Sequence, residues 1–406
     1  MENRTGGLQD KTICSKCGRP AVVFQAYSRL AFCKAHFERQ LQGKFMRTVR
    51  EFSMIRPNEH IAVALSGGKD SVVLLHLLHA LKKRLPMELS AILVDEGIAG
   101  YRPHSVKTAQ AECKKLGVKL HITSFKKEFG KSLDSILKAR DGKAAGEGQA
   151  GGQSGGSGPD GKAIGIAGGS GQGGKNNRAV GACSFCGVFR RTLLNRKALE
   201  IGAHKLAVGH NLDDTAQTVM MNIMRNEPMR LARFGISGGV AESEGLVPRI
   251  KPLVRIPEKE IAVWAILHGI RIHFMQCPYA EEALRQEVRR TLNSLEEKYP
   301  GTKFRMLGSF LSMRPALMDM ARNNPGGGIV ECSMCGEPTS GGRRATAEPS
   351  NGQRPAGLCR GGATRKGGAF GAPNASGHLR GARGDVPPGA CCGACRLLIS
   401  AGLMAK

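Results

Sequence analysis

A short segment with two adjacent glycines has the composition of a phosphate-binding loop. It lies between the apolar stretch 61–65 and an apolar helix predicted over 71–85, and it comprises Ser66, Gly67, Gly68, Lys69, Asp70 and Ser71. Its glycines allow the backbone to approach an anion, and the N–H groups at the start of the following helix attract negative charge. The Walker A pattern is not met, because it requires Gly in place of Val63 and Ser or Thr in place of Asp70. The segment therefore predicts a nucleotide phosphate site of another type.

Cysteines near the N-terminus have the spacing of a structural zinc site. A CxxC pair is followed by a CxxH pair, which together offer Cys14, Cys17, Cys33 and His36. Four soft or borderline ligands in two chelating pairs are what tetrahedral zinc requires. We expect the metal to organise this module, because so few residues cannot build a large core.

A second zinc site is predicted near the C-terminus from two distant CxxC pairs. Its ligands are Cys332, Cys335, Cys392 and Cys395. The cost of closing a loop grows only logarithmically with its length, so one zinc ion can join both pairs across residues 336–390. Cys391 competes with Cys392 for the place of third ligand.

A third CxxC pair, Cys183 and Cys186, has no matching second pair. Cys277 is the candidate third ligand, because it follows the last predicted strand. Three cysteines suit an iron–sulfur cluster with one open iron, whereas four would close its coordination shell. A redox-active CxxC or a buried pair of thiols is the alternative.

Alternating strand and helix patterns bring these candidate sites onto one fold. Strands are predicted over 61–65, 89–97, 118–125, 204–211 and 271–275, and helices over 71–85, 105–116, 186–202, 212–226 and 257–270. This alternation predicts an α/β domain with a parallel sheet and helices on both faces. Ligands bind at the carboxyl ends of such strands. We therefore expect nucleotide contacts from the strand-end residues Ala64, Val94, Asp95, Gly97, Gly209 and His210.

Two acidic residues, Asp213 and Asp214, begin the predicted helix 212–226 at this edge. The helix dipole favours acidic residues there, so capping explains both of them. A carboxylate near a triphosphate also holds Mg²⁺ or orients the target base. The two explanations have equal weight for Asp213, and a catalytic role is favoured for Asp214.

Composition indicates a basic protein with a substantial core. The 406 residues include 60 Lys and Arg against 33 Asp and Glu, a net charge of +27. Only a minor part of this excess lies in the two glycine-rich tracts, 142–174 and 336–390, so the folded parts are basic and a nucleic-acid partner is favoured over general solubility. The tracts hold more than half of the 55 glycines and too few large apolar groups to offset the entropy of ordering.

The absence of an apolar run of 18 residues and of a secretory signal predicts a cytoplasmic protein without a membrane partner. In a reducing compartment, 13 cysteines serve as metal ligands or reactive thiols rather than as disulfides. Cysteine spacing is therefore the main evidence for metal sites in this sequence.

The six-residue loop resembles the PP-loop of ATP pyrophosphatases, which split ATP between its α and β phosphates and activate a substrate oxygen as an adenylate. Further motifs follow in order between the two predicted zinc ribbons: DEGIAGYR (95–102), CSFCGVFRR (183–191), GHNLDDTAQT (209–218) and Cys277. With them, the sequence is similar to the archaeal and eukaryotic cytosolic tRNA 2-thiouridine synthetase family. The resemblance covers nearly the whole chain except the two glycine-rich tracts.

The resemblance implies three parts. An N-terminal zinc ribbon occupies 1–45, and a C-terminal zinc ribbon occupies 325–406, split by the Gly/Arg-rich insert 336–390. Between them, 46–315 forms a PP-loop catalytic domain of the adenine nucleotide alpha-hydrolase type, with a flexible glycine-rich insert at 141–178. We expect the inserts to be spacers, although basic residues near 360–362 are suited to additional RNA contacts.

The resemblance also implies the chemistry. ATP with Mg²⁺ adenylates O2 of a tRNA uridine, and sulfur replaces that oxygen with release of AMP. Cys183, Cys186 and Cys277 are then implied to hold a 4Fe–4S cluster whose unique iron binds sulfide, and Asp214 and Arg190 are implied to act in catalysis or orientation. A thermophilic relative has Lys in place of Arg190. Because Arg stays charged, we expect it to stabilise charge rather than to act as a base.

Several alternatives remain at this stage. A 2-thiocytidine synthetase shares the PP-loop and three cysteines but is disfavoured by the zinc ribbons, and a lysidine-synthetase-like ligase does not need the cysteines. A non-catalytic zinc-ribbon RNA-binding protein is disfavoured by the intact loop. The wobble uridine is preferred over the T-loop uridine because no thermophilic signature is evident. Free sulfide and a ubiquitin-like thiocarboxylate are both candidate donors, and a homodimer or a second thiolation subunit is a candidate assembly.

Overall fold

The structure is a computed structural model that describes residues 11–146, 182–237, 245–270, 277–279, 284–323, 329–331 and 338–340. The strands are β1 (Val23–Gln25), β2 (Leu30–Phe32), β3 (His60–Ala64), β4 (Glu88–Asp95), β5 (Lys119–Ser124), β6 (Lys205–Val208), β7 (Arg249–Ile250), β8 (Ile329–Glu331) and β9 (Pro338–Ser340). The helices are α1 (Lys34–Glu51), α2 (Lys69–Lys82), α3 (Arg102–Leu116), α4 (Phe125–Phe129), α5 (Leu133–Gly146), α6 (Ala182–Glu200), α7 (Leu212–Met224), α8 (Pro228–Ala232), α9 (Glu258–Leu267), α10 (Leu284–Lys298) and α11 (Thr302–Arg322). Within these ranges, no helix is long and apolar enough to cross a membrane.

The central element is a five-stranded sheet with the strand order β5-β4-β3-β6-β7. Every neighbouring pair in it runs parallel, and parallel neighbours need crossover connections, which α2, α3 and α6 supply. The predicted parallel sheet is therefore confirmed. The fifth strand, Arg249–Ile250, was missed because two residues are too few for a periodic pattern. The strand predicted over 271–275 lies outside the described residues.

Side chains along β3 alternate between two hydrophobic cores, one on each face of the sheet. Ile61 and Val63 pack in the main core with residues of α2 and α3. Ala62, between them in the chain, packs in a different core with Ala198 of α6. This two-residue period places helices on both faces, as the sequence predicts.

The N-terminal hairpin β1–β2 and helix α1 share the main core of the sheet. Helix α1 buries Phe37, Leu41 and Phe45, and these residues belong to the same hydrophobic cluster as Val63. The predicted boundary between residues 45 and 46 therefore falls inside a continuous helix. Its apolar face packs in one cluster with residues of both the hairpin and the central sheet.

Helix α5 was not predicted from the sequence, and it enters the predicted insert. It continues to Gly146, so residues 141–146 of the predicted insert 141–178 are helical. Alanines at 144 and 145 favour helix in this stretch, whereas the glycines at 142 and 146 do not. The remainder of the insert, 147–178, lies outside the described residues.

Candidate functional site

The predicted phosphate loop connects β3 to α2, and its own hydroxyls brace it. The Ser71 hydroxyl accepts a hydrogen bond from the Ser66 N–H at 3.1 Å and donates one to the Gly68 carbonyl at 2.9 Å. Gly67 has a φ of +82°, and a Cβ there would lie 2.1 Å from the Ser105 carbonyl oxygen. Only glycine fits this position, because the conformation is left-handed and α3 lies directly against it. The loop thus has one well-defined conformation.

A buried ion pair joins this loop to the end of β4. Arg102 and Glu96 contact each other and are 4% and 3% exposed. The Arg102 guanidinium also donates hydrogen bonds to the carbonyls of Ser66, at 2.7 Å, and of Val94. Because burying an ion pair is costly unless its remaining donors are satisfied, the arrangement indicates a positional role. Arg102 fixes the phosphate loop relative to the strand end.

Lys69 of the loop lies between two carboxylates. Its Nζ is 3.0 Å from Asp70 and 2.7 Å from Glu258, at the first residue of α9. Glu258 also accepts from Arg289 of α10 at 2.9 Å. Burial opposes the charge on Lys69, yet Asp70 and Glu258 together raise its pKa. The Glu258 carboxylate therefore holds two cations, Lys69 and Arg289, beside the loop.

Asp214 caps its helix and also has charged neighbours near the phosphate loop. It forms a capping box with Asn211, whose side chain accepts from the Asp214 N–H at 2.9 Å. The Asn211 amide in turn donates to Asp70 at 3.0 Å, and Arg285 contacts the Asp214 carboxylate at 3.0 Å. Burial raises the pKa of Asp214, opposed by Arg285 and assisted by the Asp70 carboxylate. Asp214 thus caps α7 and faces the phosphate loop.

Asp213 has a different environment from its neighbour. Its carboxylate is buried and contacts the Lys303 ammonium of α11. It also accepts from the Glu258 N–H at 2.7 Å, which anchors the start of α9. Both oxygens are therefore engaged with elements of the fold, and the structural explanation is favoured for Asp213.

The predicted adenine and ribose contacts lie at the ends of the central strands. Ala64 ends β3, Val94 and Asp95 end β4, and Gly209 and His210 follow β6. A Cβ on Gly209 would lie 3.0 Å from the Ser71 amide nitrogen, so glycine allows β6 to approach α2 closely. The Asp95 carboxylate accepts from the Gly97 N–H at 2.9 Å. The predicted residues therefore share one edge of the sheet.

His210 is surrounded by cations at this edge. Desolvation by the surrounding protein lowers the pKa of His210, although its side chain is exposed, and the charges of Lys251, Arg285 and Arg190 contribute in the same direction. The imidazole is therefore neutral near pH 7 and is able to accept or donate a hydrogen bond. The cations around it make the edge strongly attractive to polyphosphate or nucleic acid.

The third thiol, Cys277, lies near Cys183 and Cys186 although it follows them far along the chain. Cys183 and Cys186 are one turn apart on α6, and the Cys183 thiol contacts the Tyr279 carbonyl at 3.3 Å. Cys186 and Cys277 pack against a hydrophobic cluster that contains Phe125, Phe185 and Phe189. Burial raises the pKa of Cys186 to about 11 despite the charge of Arg190.

These three thiols fit an iron–sulfur cluster. Their donor set is entirely soft sulfur, and an apolar shell of the kind that limits solvent access packs against Cys186 and Cys277, whereas Cys183 is exposed. Arg190, one turn after Cys186 on α6, lies 3.6 Å from Glu96. Glu96 therefore contacts Arg102, which holds the phosphate loop, and Arg190, which lies beside the thiols.

The N-terminal zinc prediction agrees with the geometry. The ligand atoms of Cys14, Cys17, Cys33 and His36 all lie within 4.8 Å of one another. The His36 Nδ1 is 3.5 Å from the Cys14 sulfur and 3.4 Å from the Cys33 sulfur. Three thiols and one imidazole, converging from the hairpin and the first turn of α1, suit a tetrahedral zinc ion.

Replacing Cys33 with alanine is expected to remove one equivalent of zinc and to unfold the hairpin. The hairpin buries few large side chains, and structural zinc contributes about 10–16 kcal/mol in isolated zinc-finger peptides. Zinc release measured with a colorimetric chelator, together with limited proteolysis, tests this expectation. The Cys113→Ala variant is the control, because its buried thiol lies on α3, apart from the four ligands. Unchanged zinc content in Cys33→Ala contradicts the assignment.

The predicted C-terminal zinc ligands lie outside the described residues. They are Cys332, Cys335, Cys392 and Cys395, with Cys391 as the competing third ligand. The described strands β8 and β9 pair antiparallel, Ile329 opposite Ser340, and they immediately flank the segment that contains the first CxxC. A similar bridge, Ile13 opposite Pro20, flanks the first CxxC of the N-terminal site. The second zinc site remains a prediction.

Several residues at this edge were not identified from the sequence. Glu258 of α9 contacts Lys69 of the phosphate loop, although it lies far from it in the chain. From α10, Arg289 contacts Glu258 and Arg285 contacts Asp214. Glu96 and Arg102 are inside the quoted motif 95–102, but their ion pairs were not foreseen. The strongest available signal was the three arginines in the first half of α10, LRQEVRRTLNSLEEK.

Comparison with known proteins supports these assignments at the level of the family. The sequence model for the PP-loop domain matches residues 35–143, and the model described as the N-terminal LIM domain of the 2-thiouridine synthetase TtuA matches residues 13–38. The second match coincides with the four zinc ligands. The first covers the phosphate loop and the motif that contains Glu96 and Arg102.

Similar proteins extend over most of the chain. The tRNA 2-thiolation protein NcsA of Haloferax volcanii is 33% identical over 341 residues, covering 81% of this chain and 95% of that protein. The mouse cytoplasmic tRNA 2-thiolation protein 1 is 32% identical, covering 80% and 68%. The structure of the U34-tRNA thiolase NcsA of Methanococcus maripaludis, with its [4Fe-4S] cluster, is 32% identical with a TM-score of 0.61, covering 81% of this chain and 92% of that one. The chain therefore belongs to the family of PP-loop tRNA 2-thiolation enzymes.

Proposed function

We propose that this protein replaces O2 of a tRNA uridine with sulfur in an ATP-dependent reaction, and that the wobble uridine is its target. The observation that carries this proposal is the pair of contacts made by Glu96. Its carboxylate touches Arg102, which holds the phosphate loop, and lies 3.6 Å from Arg190, beside the three thiols. An ATP site thus adjoins a site for soft sulfur chemistry, which is the combination that exchange of oxygen for sulfur requires.

The reaction needs an activated oxygen because the uridine carbonyl oxygen is a poor leaving group. O2 attacks the α-phosphorus of ATP, and the bond to pyrophosphate breaks. Hydrosulfide or its equivalent then attacks C2 of the base, and the C2–O2 bond breaks with departure of AMP. The products are 2-thiouridine, AMP and pyrophosphate, and AMP carries the former base oxygen.

The residues of the phosphate loop bind and orient ATP in this proposal. Backbone N–H groups at the start of α2, with Lys69 and Arg289, contact the leaving pyrophosphate. Asp70 and Asp214 supply oxygen ligands for the accompanying Mg²⁺, which prefers carboxylates and phosphates. The adenosine lies against the strand ends, contacted by Ala64, Val94, Asp95, Gly97, Gly209 and His210. Asp214 additionally orients the base.

The thiol site supplies the sulfur. Cys183, Cys186 and Cys277 would hold a 4Fe–4S cluster, which when bound provides an open iron for the incoming sulfur. Arg190 stabilises negative charge that develops at the activated base through its guanidinium group. Glu96 positions Arg190 through its ion pair.

The target position is inferred from the relatives of this chain, and the sulfur donor from the chemistry of the reaction. The U34-tRNA thiolase is 32% identical to this chain, and the tRNA-5-methyluridine(54) 2-sulfurtransferase of Pyrococcus horikoshii is 28% identical, which favours the wobble position. Free sulfide and a ubiquitin-like protein thiocarboxylate both satisfy the chemistry. Besides tRNA, the expected partner is a second copy of this chain or a second thiolation subunit.

The decisive experiment is anaerobic incubation of the cluster-reconstituted protein with unmodified tRNA, ATP-Mg²⁺ and sulfide, followed by nucleoside mass spectrometry. We expect 2-thiouridine and an equal amount of AMP. A tRNA transcript with cytidine at position 34 is expected to yield no thiolated product. Formation of 2-thiocytidine would move the assignment to the 2-thiocytidine synthetases. Absence of any thiolated base, with the cluster verified intact, would contradict the proposal.

Replacing Arg289 with alanine is expected to raise the KM for ATP by about tenfold or more. Its guanidinium holds Glu258 beside Lys69, and a hydrogen bond to a charged group contributes about 1.5–3 kcal/mol. AMP formation measured against ATP concentration tests this expectation.

Arg290→Ala is the matched control for this variant. It removes the same charge from the neighbouring position, where the side chain is 79% exposed and pairs with Glu287 on its own helix. We expect its KM to stay near that of the wild type. Equal effects of the two substitutions would show that α10 contributes only general positive charge.

A further inference from the structure

A pocket of about 360 Å³ lies on the surface between the N-terminal module and α11, outside the site described above. Its lining combines aromatic, cationic and aliphatic side chains: Tyr27, Lys44, Arg47, Arg255, Phe304, Leu307, Gly308 and Leu311. Acidic side chains are missing from this lining. The volume lies at the lower end of the range of about 300–1,000 Å³ typical of small-ligand sites.

The aromatic wall of the pocket is rigid. The ring centroids of Tyr27 and Phe304 are 4.7 Å apart. The Tyr27 hydroxyl donates to Glu260 at 2.6 Å, and Lys44 contacts the same carboxylate at 2.8 Å. Burial and the nearby Glu260 charge raise the pKa of Tyr27, so the phenol keeps its proton. Lys44 and Glu260 therefore lock a half-buried aromatic surface in place.

The pocket's cations are available to an anion. Arg47 is exposed on α1 and forms no ion pair with any residue in the described ranges. Arg255 pairs with Glu51 at 2.5 Å, but its buried Nε has no hydrogen-bond partner among the described atoms. The Arg255 side chain nevertheless remains 29% exposed, and it lines the same pocket as Arg47. Two guanidinium groups that line one pocket are suited to phosphate oxygens, which accept from planar donors.

We propose that this pocket binds one unstacked nucleotide of the RNA substrate, with its base against Tyr27 and Phe304 and its phosphate on Arg47 and Arg255. Aromatic platforms bordered by cations are the recurrent solution for single-stranded RNA, because every base has a face that stacks and every nucleotide carries a phosphate. The inference rests on the proposed function, since it takes tRNA to be the substrate. It adds a second RNA contact outside the reaction centre.

The pocket is connected to the phosphate loop through one short segment. Glu258, at the start of α9, contacts Lys69 of the loop, whereas Glu260, two residues later, holds Tyr27 and Lys44. Residues two apart on a helix face different directions. The start of α9 thus lies between the two sites and contacts both of them.

The test measures the Kd of tRNA for the full-length protein as a function of salt. Phe304→Ala is expected to raise the Kd by about tenfold, the effect of losing one stacked base. Arg47→Ala is expected to reduce the slope of log Kd against log salt by about one. Arg50→Ala, an exposed arginine on the same helix outside the pocket lining, should change the Kd much less.

Gly308→Phe provides a variant that removes no interacting group. A Cβ at Gly308 meets no atom within 4 Å, and replacing a helical glycine does not weaken α11. The new ring is expected to occupy the pocket and to weaken tRNA binding as strongly as Phe304→Ala does. Light scattering on the same samples is expected to show an unchanged oligomeric state.

Each contrary result identifies what fails. If the wild type binds tRNA and Gly308→Phe binds it equally well, the pocket proposal is overturned and the proposed function stands. Equal losses of tRNA affinity in Arg47→Ala and Arg50→Ala would show that only general positive charge matters, and the pocket proposal would be overturned. A change of oligomeric state in Gly308→Phe would assign the pocket to contact between copies of the chain. A wild type that does not bind tRNA would overturn both proposals.

Discussion

Replacing Gly67 with alanine is expected to weaken ATP binding by about 30-fold or more. At a φ of +82°, the new Cβ would lie 2.1 Å from the Ser105 carbonyl oxygen. The left-handed conformation costs about 1–2 kcal/mol, and overpacking costs about 1–3 kcal/mol more. The loop must therefore leave its conformation, and ATP binding would have to restore it at a cost of about 2–5 kcal/mol.

Gly68→Ala is the matched control for this prediction. Gly68 has a φ of −80°, which any residue adopts, and a Cβ there meets only the Ser66 hydroxyl, at 3.4 Å. We expect this variant to melt like the wild type and to keep measurable ATP affinity. Calorimetric titration with ATP-Mg²⁺ and thermal unfolding distinguish the two variants. Near-normal affinity in Gly67→Ala would show that the loop is not the phosphate site.

Replacing Cys277 with alanine is expected to abolish 2-thiouridine formation and to lower the iron content after reconstitution. Cys183 and Cys186 are neighbours on α6, and Cys277 is the third thiol beside them. Two thiols cannot hold three irons of the cluster, so the cluster is expected to be lost rather than merely weakened. ATP affinity should remain unchanged, because the phosphate loop is braced by Arg102 and not by the thiols.

The measurements for this variant are iron and sulfide content, the visible absorbance of the cluster and nucleoside mass spectrometry. Cys113→Ala serves as the control, since it removes a thiol that is 2% exposed in the main core and lies outside the thiol site. We expect it to retain iron and activity. A Cys277→Ala protein with full iron content and normal thiolation would remove Cys277 from the proposed ligand set.

The sequence predicts the sheet well because its signals are local. Buried parallel strands appear as short apolar runs, and α2 follows its strand through a loop whose glycines are visible in the sequence. The N-terminal metal ligands were predictable for the same reason, since chelating pairs lie two residues apart. Where the signal was too short, as for the two residues of β7, the strand was missed.

The two aspartates show the limit of local reasoning. Asp213 and Asp214 have adjacent positions at a helix start, and a dipole argument treats them alike. The fold separates them, because Lys303 and the start of α9 engage Asp213, whereas Arg285 and the capping box leave Asp214 facing the loop. Which carboxylate serves the site depends on helices that follow much later in the chain.

The sequence by itself determined the kinds of chemistry available to this protein: a phosphate loop, a zinc site and three additional thiols. Tertiary structure alone decided that Glu96 contacts both Arg102, which holds the loop, and Arg190, which lies beside the thiols. It also decided that Glu258 contacts Lys69 of the loop and Arg289 of α10. The physical reason is that backbone conformation and chelate spacing are set within a few residues. Ion pairs between distant elements depend on how those elements pack, and a single sequence carries no local signal of that packing.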